Sequence, residues 1–281
     1  MLTRESIYSF LAGLGLPDNY TVCFEDFYDL YDMGILSEDD ILNSKNVLDL
    51  FDLTLSVNMR TITDLMENGV IFVSLDGVVI SPFAKIGKGS VIHPGTQIRK
   101  NCVIGEKSVI GPNSVIEDSA IGNGCTVNAT QVYSSVLEDD VKIGPFCHVR
   151  PNSRICKGVK LGDFVEVKNS TLGEGTHASH LTYIGDSDVG ERVNFGCGTV
   201  TCNYDGYNKA RCVIGNDVFI GCNTNLIAPV NIGDGAYTAA GSTITDDVPE
   251  SSLGIARARQ TNKDGWALKF RIKSLEKKKK G

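Results

Sequence analysis

From Ile80 onward the large apolar residues keep a six-residue step: Ile80, Ile86, Ile92, Ile98, Ile104, Ile110 and Ile116. One five-residue step leads to Ile121 and Val127, and the register resumes at Leu137, Ile143, Val149, Ile155, Leu161 and Val167. It slips by one into Leu172, Ala178 and Ile184, and again into Val189 and Phe195. After a break it returns as Ile214, Ile220, Leu226, Ile232, Thr238 and Ile244. A period of six fits neither a helix face nor a strand alternating between core and water. It fits the hexapeptide repeat of a parallel β-helix.

The remaining positions of each hexad agree. Glycine often follows the apolar residue, as in Ile104-Gly105, Ile110-Gly111, Ile143-Gly144 and Leu161-Gly162, where it tolerates a bend between flat faces. Four residues after the apolar position sits a small one: Ser90, Thr96, Cys102, Ser108, Ser114 and Ala120. Cys102, Cys125 and Cys147 share this slot, which makes packing their expected role. Three hexads per coil would build a triangular prism with coils spaced about 4.8 Å apart. Each coil would then pair with the coils above and below, leaving edges only at the two ends.

The first 75 residues differ in both pattern and charge. Ile7, Phe10, Leu11 and Leu14 are spaced as one helix face, and so are Phe24, Phe27, Tyr28 and Tyr31. Ser37 and Asp40 before Ile41-Leu42 form a capping box. Leu55, Met59, Ile62 and Met66 mark a further helix ending near Gly69. Residues 1–70 hold 13 of the 34 acidic residues and 3 of the 27 basic ones, leaving 21 acidic and 24 basic for 71–281. Such an acidic front argues against a general nucleic-acid binder, which needs a basic stripe. Asp26, Asp29 and Asp32 are wrongly spaced for a calcium-binding EF-hand loop and read as a solvated acidic face. The run Lys277 to Lys280 reads as a solvated tail, with phosphate attraction as the alternative.

The sequence offers no membrane-spanning stretch. Its first residues carry Glu5 and lack a cleavage-like ending, so no signal peptide is expected. Nine cysteines, an odd number without a C-x-x-C pair, point to a reduced, cytoplasmic protein. Cys202 and Cys212 flank one loop, but a bridge between them is not expected there.

Departures from the hexad carry the functional information. "TLGEGTHASHLTYIGD", residues 171–186, holds His177, His180 and Tyr183. A metal site, a catalytic base and plain surface decoration are the three readings. Arg150, Lys168, His180, Tyr183 and Asn194 all lie off the inward positions and should point outward. Arg150 and Lys168 are 18 residues apart, so they should stack on neighbouring coils as two cations, and such a pair calls for an anion such as phosphate. The segment "TCNYDGYNKARC", 201–212, breaks the register and is expected as an extruded loop rich in ligand-closing groups: Asn203, Tyr204 and Lys209.

"IGPFCHVRPNSRI", "GDFVEVKNSTLGEGTHASHLTYIGDSDVG", "NFGCGTVTCNYDGYNKARCVIG" and "LGIARARQTNKDGW" together resemble one family. It is the acetyltransferase domain of bacterial bifunctional UDP-N-acetylglucosamine pyrophosphorylase/glucosamine-1-phosphate N-acetyltransferase. The resemblance covers roughly residues 45–270 and is dense from 143 to 266. It implies a left-handed parallel β-helix, here preceded by a small α-helical segment. The expected divisions are an acidic helical segment at 1–75, the β-helix at 76–250, and a C-terminal arm with a basic tail at 251–281.

The same resemblance implies acetyl transfer from acetyl-CoA to the 2-amino group of glucosamine 1-phosphate, a step in UDP-N-acetylglucosamine synthesis. His180 matches the general base, a task suited to an imidazole that titrates near neutral pH. Glu166 matches a residue that orients or polarises the site. Arg150, Lys168 and Lys209 match the sugar-phosphate ligands, and Tyr183, Asn194 and Asn203 match sugar or acetyl contacts. Tyr204 belongs to the same catalytic loop. Cys197, Cys222, Ala240 and Arg257 match the acetyl-CoA side, with Asn203 and Tyr204 bordering it. No metal is implied.

A homotrimer with shared active sites is implied, with Trp266, Lys269, Arg271 and Lys273 reaching across a neighbour. Where the family has alanine and serine, this chain has Cys197 and Cys222, either as plain substitutions or as thiols that narrow the pocket and oxidise. "LAGLGLP" at 11–17 lacks the basic residue of a nucleotide loop, so uridylyl transfer and its magnesium are not expected. The acidic segment would either dock a separate uridylyltransferase or cap the open coil near Ile80.

Three rival readings remain. A zinc hydratase built on the same repeats needs three convergent imidazoles, whereas His177 and His180 share one hexad and His93 and His148 lie on other coils. An acetyltransferase for another, nucleotide-linked amino sugar would share most of the site. A non-catalytic trimeric scaffold would keep the fold without the intact set of polar residues.

Overall fold

The hexads wind the chain into a parallel β-solenoid of about ten turns with three strands per turn. The computed structural model describes residues 2–17 and 19–278. A typical turn runs through Val91–Ile92 on a first face, Gln97–Arg99 on a second and Val103–Ile104 on a third. Strands stack in register turn upon turn: Ile80 on Ile98 on Ile116 on Val132 down the second face, and Ile86 on Ile104 on Ile121 on Leu137 down the third. The apolar column is sealed, with Ile80, Ile92, Ile98, Ile110 and Ile116 wholly inaccessible. Each such side chain stabilises the fold by roughly 1.5–3 kcal/mol.

The small slot turns out to be a hydrogen-bonding ladder as well as a space constraint. Ser90 Oγ donates to Gly105 O (2.8 Å) and accepts from Ser108 N (3.0 Å), while Ser108 Oγ donates to Gly122 O (2.9 Å) and accepts from Cys125 N (3.1 Å). A hydroxyl here satisfies corner backbone groups that the strands leave unpaired. Ala120 does not occupy the slot. The five-residue step moves it to Ser119, which is buried, and Ala120 lies exposed on a strand. Crowding requires the glycine after the apolar residue, since a Cβ on Gly122 would stand 2.7 Å from Asp139 N on the next turn, and at Gly111 (φ 100°) and Gly144 (φ 107°) the backbone conformation requires it as well.

The front segment has its own core of Ile7, Leu11, Val22, Phe27, Leu30, Leu36, Ile41, Leu50, Leu53 and Val57. Helices α1 (Arg4–Gly13), α2 (Phe27–Asp32), α3 (Glu38–Asn43) and α4 (Val47–Glu67) build it. The Ser37–Asp40 capping box forms as read, with Asp40 N donating to Ser37 Oγ and Ser37 N to Asp40 Oδ2. Phe24 is not part of a helix. Asp26 caps α2 by accepting from Tyr28 N (2.8 Å), so the helix starts at Phe27 and Phe24 sits in a left-handed turn (φ 69°) beneath the Arg99 guanidinium. Asp26 is thus occupied as a cap, and Asp29 pairs with Arg4 at 2.7 Å.

On α4 the stripe expected from spacing is mostly outside: Leu55, Met59 and Met66 are exposed and only Ile62 is buried. Its inward side is Leu50, Leu53 and Val57 toward the helical core, then Ile62 toward the prism. The helix passes from one core to the other along its length, so no single stripe describes it. The segment closes the first coil. Asn58 on α4 donates Nδ2 to Val78 O (2.9 Å) and accepts from Ile80 N (3.0 Å), satisfying backbone groups that face away from the next turn. Val79 and Phe83 pack onto the helical core from the prism side.

The C-terminal helix α5 (Trp266–Lys278) buries nothing in the single chain; Trp266, Leu268, Phe270, Ile272 and Leu275 are all exposed. Lys277 and Lys278 end it, while Lys279 and Lys280 lie outside the described residues. Among the described residues no helix is long and apolar enough to cross a membrane.

Candidate active site

Most strands are two or three residues long, but Lys160–Lys168 and His177–Gly185 each run nine. They continue around the corner between the first and second faces, which joins those faces into one 19-stranded sheet beside a 9-stranded third face. Along this pair Asp163 lies in register with His180 and Glu166 with Tyr183. The corner and the second face beside it hold nearly all the singled-out residues, and none of them at an inward apolar position.

On the second face Arg150 and Lys168 stack as expected: Arg150 N donates to Val167 O (2.8 Å), and Val149 pairs with Val167. Arg150 Nη1 holds Glu166 Oε1 at 2.9 Å, so Glu166 orients this guanidinium. The carboxylate level with His180 is Asp163, one of the residues the sequence reading missed. Between Cys202 and Cys212 the chain leaves the prism as a loop. Asp205 pins it by accepting from Tyr207 N (2.7 Å) and Asn208 N (2.6 Å), Tyr204 Oη donates to Gly206 O (2.6 Å), and Ala210 N donates to Asn203 O (3.0 Å). Arg211 anchors the far side with two bonds to Asp188. The loop brings Lys209 against Lys168, and this contact, with partial burial and the Arg150 charge, pushes Lys168 below the usual lysine value although Asp186 opposes it.

Asp186 is the hub beneath these cations. Its side chain is only 6 % exposed and stands 3.8 Å from Lys168 Nζ. Asn169 and Asn203 donate their amides to it. Burial works to raise this carboxyl, but the two amides and the charges of Lys168 and Lys209 outweigh it and hold the group below the ordinary aspartate range. Asn203 also reaches Tyr183 Oη at 3.4 Å. The Tyr183 ring folds over Gly185, where a Cβ would stand 2.3 Å from the phenol oxygen. Asp186 and Gly185 were legible only as the tail of "HLTYIGD".

His180 is exposed at the corner. Ala178 pairs with Phe195 before the corner and Tyr183 with Val200 after it, a constant offset that sets His180 level with Cys197. The register Phe195 on Ile220 on Thr238 carries the line on to Cys222 and Ala240, all exposed. Arg257 lies at the end of this column, its Cδ 3.9 Å from where a Gly241 Cβ would be. Asn194 is elsewhere: it stacks on His177 on the first face, away from Arg150, Lys168 and Tyr183 of the same chain. His148 stands on the second face directly above Glu166 and edge-on to Tyr133. Among the described residues no three His, Cys, Asp or Glu converge as a metal site requires. The nine cysteines are free, Cys202 and Cys212 included.

The bacterial transferase hexapeptide (six repeats) family matches residues 83–118, 134–169 and 211–246. The bifunctional protein GlmU of Caldicellulosiruptor saccharolyticus is 53% identical over 82% of this chain and 50% of its own length. That of a Geobacillus strain is 55% identical over 74% of this chain and 45% of its own, and that of Halalkalibacterium halodurans 54% over 73% and 45%. The chain thus spans about half the length of the curated relatives it matches. It is a member of the hexapeptide-repeat transferases and a homologue of the bifunctional protein GlmU over the half of that protein it spans.

Proposed function

We propose that the chain transfers the acetyl group of acetyl-CoA to the 2-amino group of glucosamine 1-phosphate. The observation that carries the reading is the clustering of Arg150, Lys168 and Lys209 on one face, like charges held together over Asp186, around a corner from His180. Three cations against two carboxylates, Glu166 on Arg150 and the buried Asp186 beneath the lysines, leave a net positive charge that suits a phosphate, which accepts several charge-assisted hydrogen bonds. Tyr183 and Asn203, linked to one another, border that anion and offer groups for the sugar hydroxyls. His180 accepts a proton from the amine as its nitrogen attacks the thioester carbon. The C–N bond forms, the carbonyl oxygen becomes an oxyanion, and its collapse expels the CoA thiolate, which takes up a proton. The Cys197–Cys222–Ala240 column offers the path for the pantetheine arm, with Arg257 at its far end.

The site is completed by a neighbouring chain in a homotrimer. Asn194 faces away from the cluster of its own chain, and α5 offers an uncovered apolar side. Phe146 and Phe164, stacked 5.5 Å apart, form with Leu181 an exposed apolar ridge beside the corner. The test is CoA release by the full chain over a panel of amino sugars with and without a 1-phosphate. Turnover with glucosamine 1-phosphate above all others is expected. Equal turnover of the unphosphorylated sugar, or preference for a nucleotide-linked one, would overturn the acceptor assignment.

A further inference from the structure

Cys197 and Cys222 occupy the same corner position on adjacent turns. Phe195 pairs with Ile220, each cysteine follows two residues later, and Asn223 N donates to Cys197 O at 2.8 Å. Adjacent strands lie about 4.7–4.9 Å apart, within the roughly 4.4–6.8 Å between Cα atoms that a disulfide spans. These two are the exposed cysteines of the chain. The others differ in kind: Cys23, Cys102, Cys125, Cys147 and Cys212 are buried, and desolvation pushes their thiols up to about 11 or 12. Cys156 and Cys202 are half-buried and also raised by desolvation. One turn before Cys197, at the same level, stands His180.

We propose that Cys197 and Cys222 are a thiol pair that a low-molecular-weight disulfide closes by exchange, and that closure shuts the corner. Cys197, its proton passed to water, attacks one sulfur of the disulfide RSSR. A Cys197–S–S–R bond forms and one RS⁻ leaves and is protonated. The Cys222 thiolate then attacks the Cys197 sulfur and expels the second RS⁻. Two protein thiols and one RSSR become one protein disulfide and two RSH, and a reducing dithiol reverses the sequence. An exposed bridge between neighbouring strands belongs to the labile, reversible kind and not to the structural kind. The exchange stands on geometry alone, whereas its consequence for turnover rests on the function proposed above, since the bridge would lie across the path assigned to the pantetheine arm.

The test treats the reduced full chain with oxidised glutathione and follows intact mass, the cross-linked peptide and CoA release in parallel. A Cys197–Cys222 peptide lighter by two hydrogens is expected, with turnover lost alongside it and restored by dithiothreitol. Cys222→Ser should stop at a glutathione adduct on Cys197, and Cys197→Ser should form no bridge. Stable separate adducts on both cysteines, or no reaction at either, would overturn the pair. A complete bridge with undiminished turnover would overturn the shutter. Reduced protein without turnover on any acceptor, yet forming the bridge, would leave the pair standing and count against the function reading.

Discussion

One outward column of the second face contains two pairs of stacked neighbours with the same backbone geometry and opposite electrostatics. Near the front, Glu117 lies in register with Arg99, their charges 3.6 Å apart, and Lys100 completes the group at 2.7 Å. Glu117 is held below its ordinary value chiefly by Lys100, and Lys100 is raised chiefly by Glu117. Further along, Arg150 stacks on Lys168, and Lys168 is lowered by Lys209. In the first pair each charge favours its neighbour, so the charges are met within the fold, although the buried Arg99 Nε finds no hydrogen-bond partner among the described residues. In the second, Arg150, Lys168 and Lys209 are held together by a pinned loop and share only Glu166 and the buried Asp186, and the positive charge left over is the mark of a ligand. The prism repeats its scaffold from coil to coil, and chemistry enters where the stacking rule for charges is broken.

The sharpest way to break this comparison lies at the corner. Replacing His180 by alanine should lower turnover by about 10²–10⁴-fold, the usual range for a positioned general base, with the far-UV spectrum and oligomeric state unchanged. Turnover within twofold of the parent would dissolve the distinction between corner and scaffold. The converse substitution belongs in the front coils. Ile98→Ala removes a fully buried side chain and should cost about 2–5 kcal/mol of stability. Denaturant unfolding would register that loss, while kcat below the transition stays unchanged. A kcat loss matching that of the His180 variant would mean that the front coils transmit strain to the site.

These two variants also mark what the sequence made legible. The hexad register identifies Ile98 as core without any structure, because every sixth residue meets the same environment turn after turn. His180, Arg150, Lys168 and Tyr183 are legible as outward departures from that register. Asp186 is not, for its importance comes from converging Asn169 and Lys168 on the preceding turn with Asn203 and Lys209 from the loop, 17 to 23 residues away. Glu166 lies in the strand expected of it and orients Arg150, while Asp163, which its own hexad did not single out, lies level with His180. In the helical segment the period identifies α4 yet misplaces its buried face, because that helix serves two cores. Periodicity reads a repeated environment well and a shared one poorly.

Removing one charge of the like pair should separate anion binding from catalysis. Lys168→Met keeps the length of the side chain and deletes the ammonium. KM for glucosamine 1-phosphate should rise roughly tenfold to a hundredfold, the worth of a hydrogen bond to a charged group, and inhibition by inorganic phosphate should weaken. The kcat should fall far less than in the His180 variant, and an unphosphorylated amino sugar should respond little. An equal loss for both acceptors would assign Lys168 to holding the loop, leaving the phosphate without its cradle.

The smallest expected effect concerns the carboxylate that permits the like charges to coexist. The folded-state value of Asp186 is depressed, by its amide donors and the two lysines working against burial. A depressed carboxylate stabilises the fold fully above its unfolded value of about 3.9 and loses that contribution as pH falls through the folded value. In Asp186→Asn the charge is absent at every pH, so Lys168 and Lys209 face each other without it. The Tm gap between parent and variant should therefore be widest near neutrality and narrow on acidification below about pH 3.9. Saturating inorganic phosphate should narrow it at neutral pH as well, since a bound dianion supplies the counter-charge from the solvent side. A gap that stays constant from pH 7 to pH 3 and ignores phosphate would mean that Asp186 acts only as a hydrogen-bond acceptor for Asn169 and Asn203. The like-charge cluster would then owe its geometry to the loop alone.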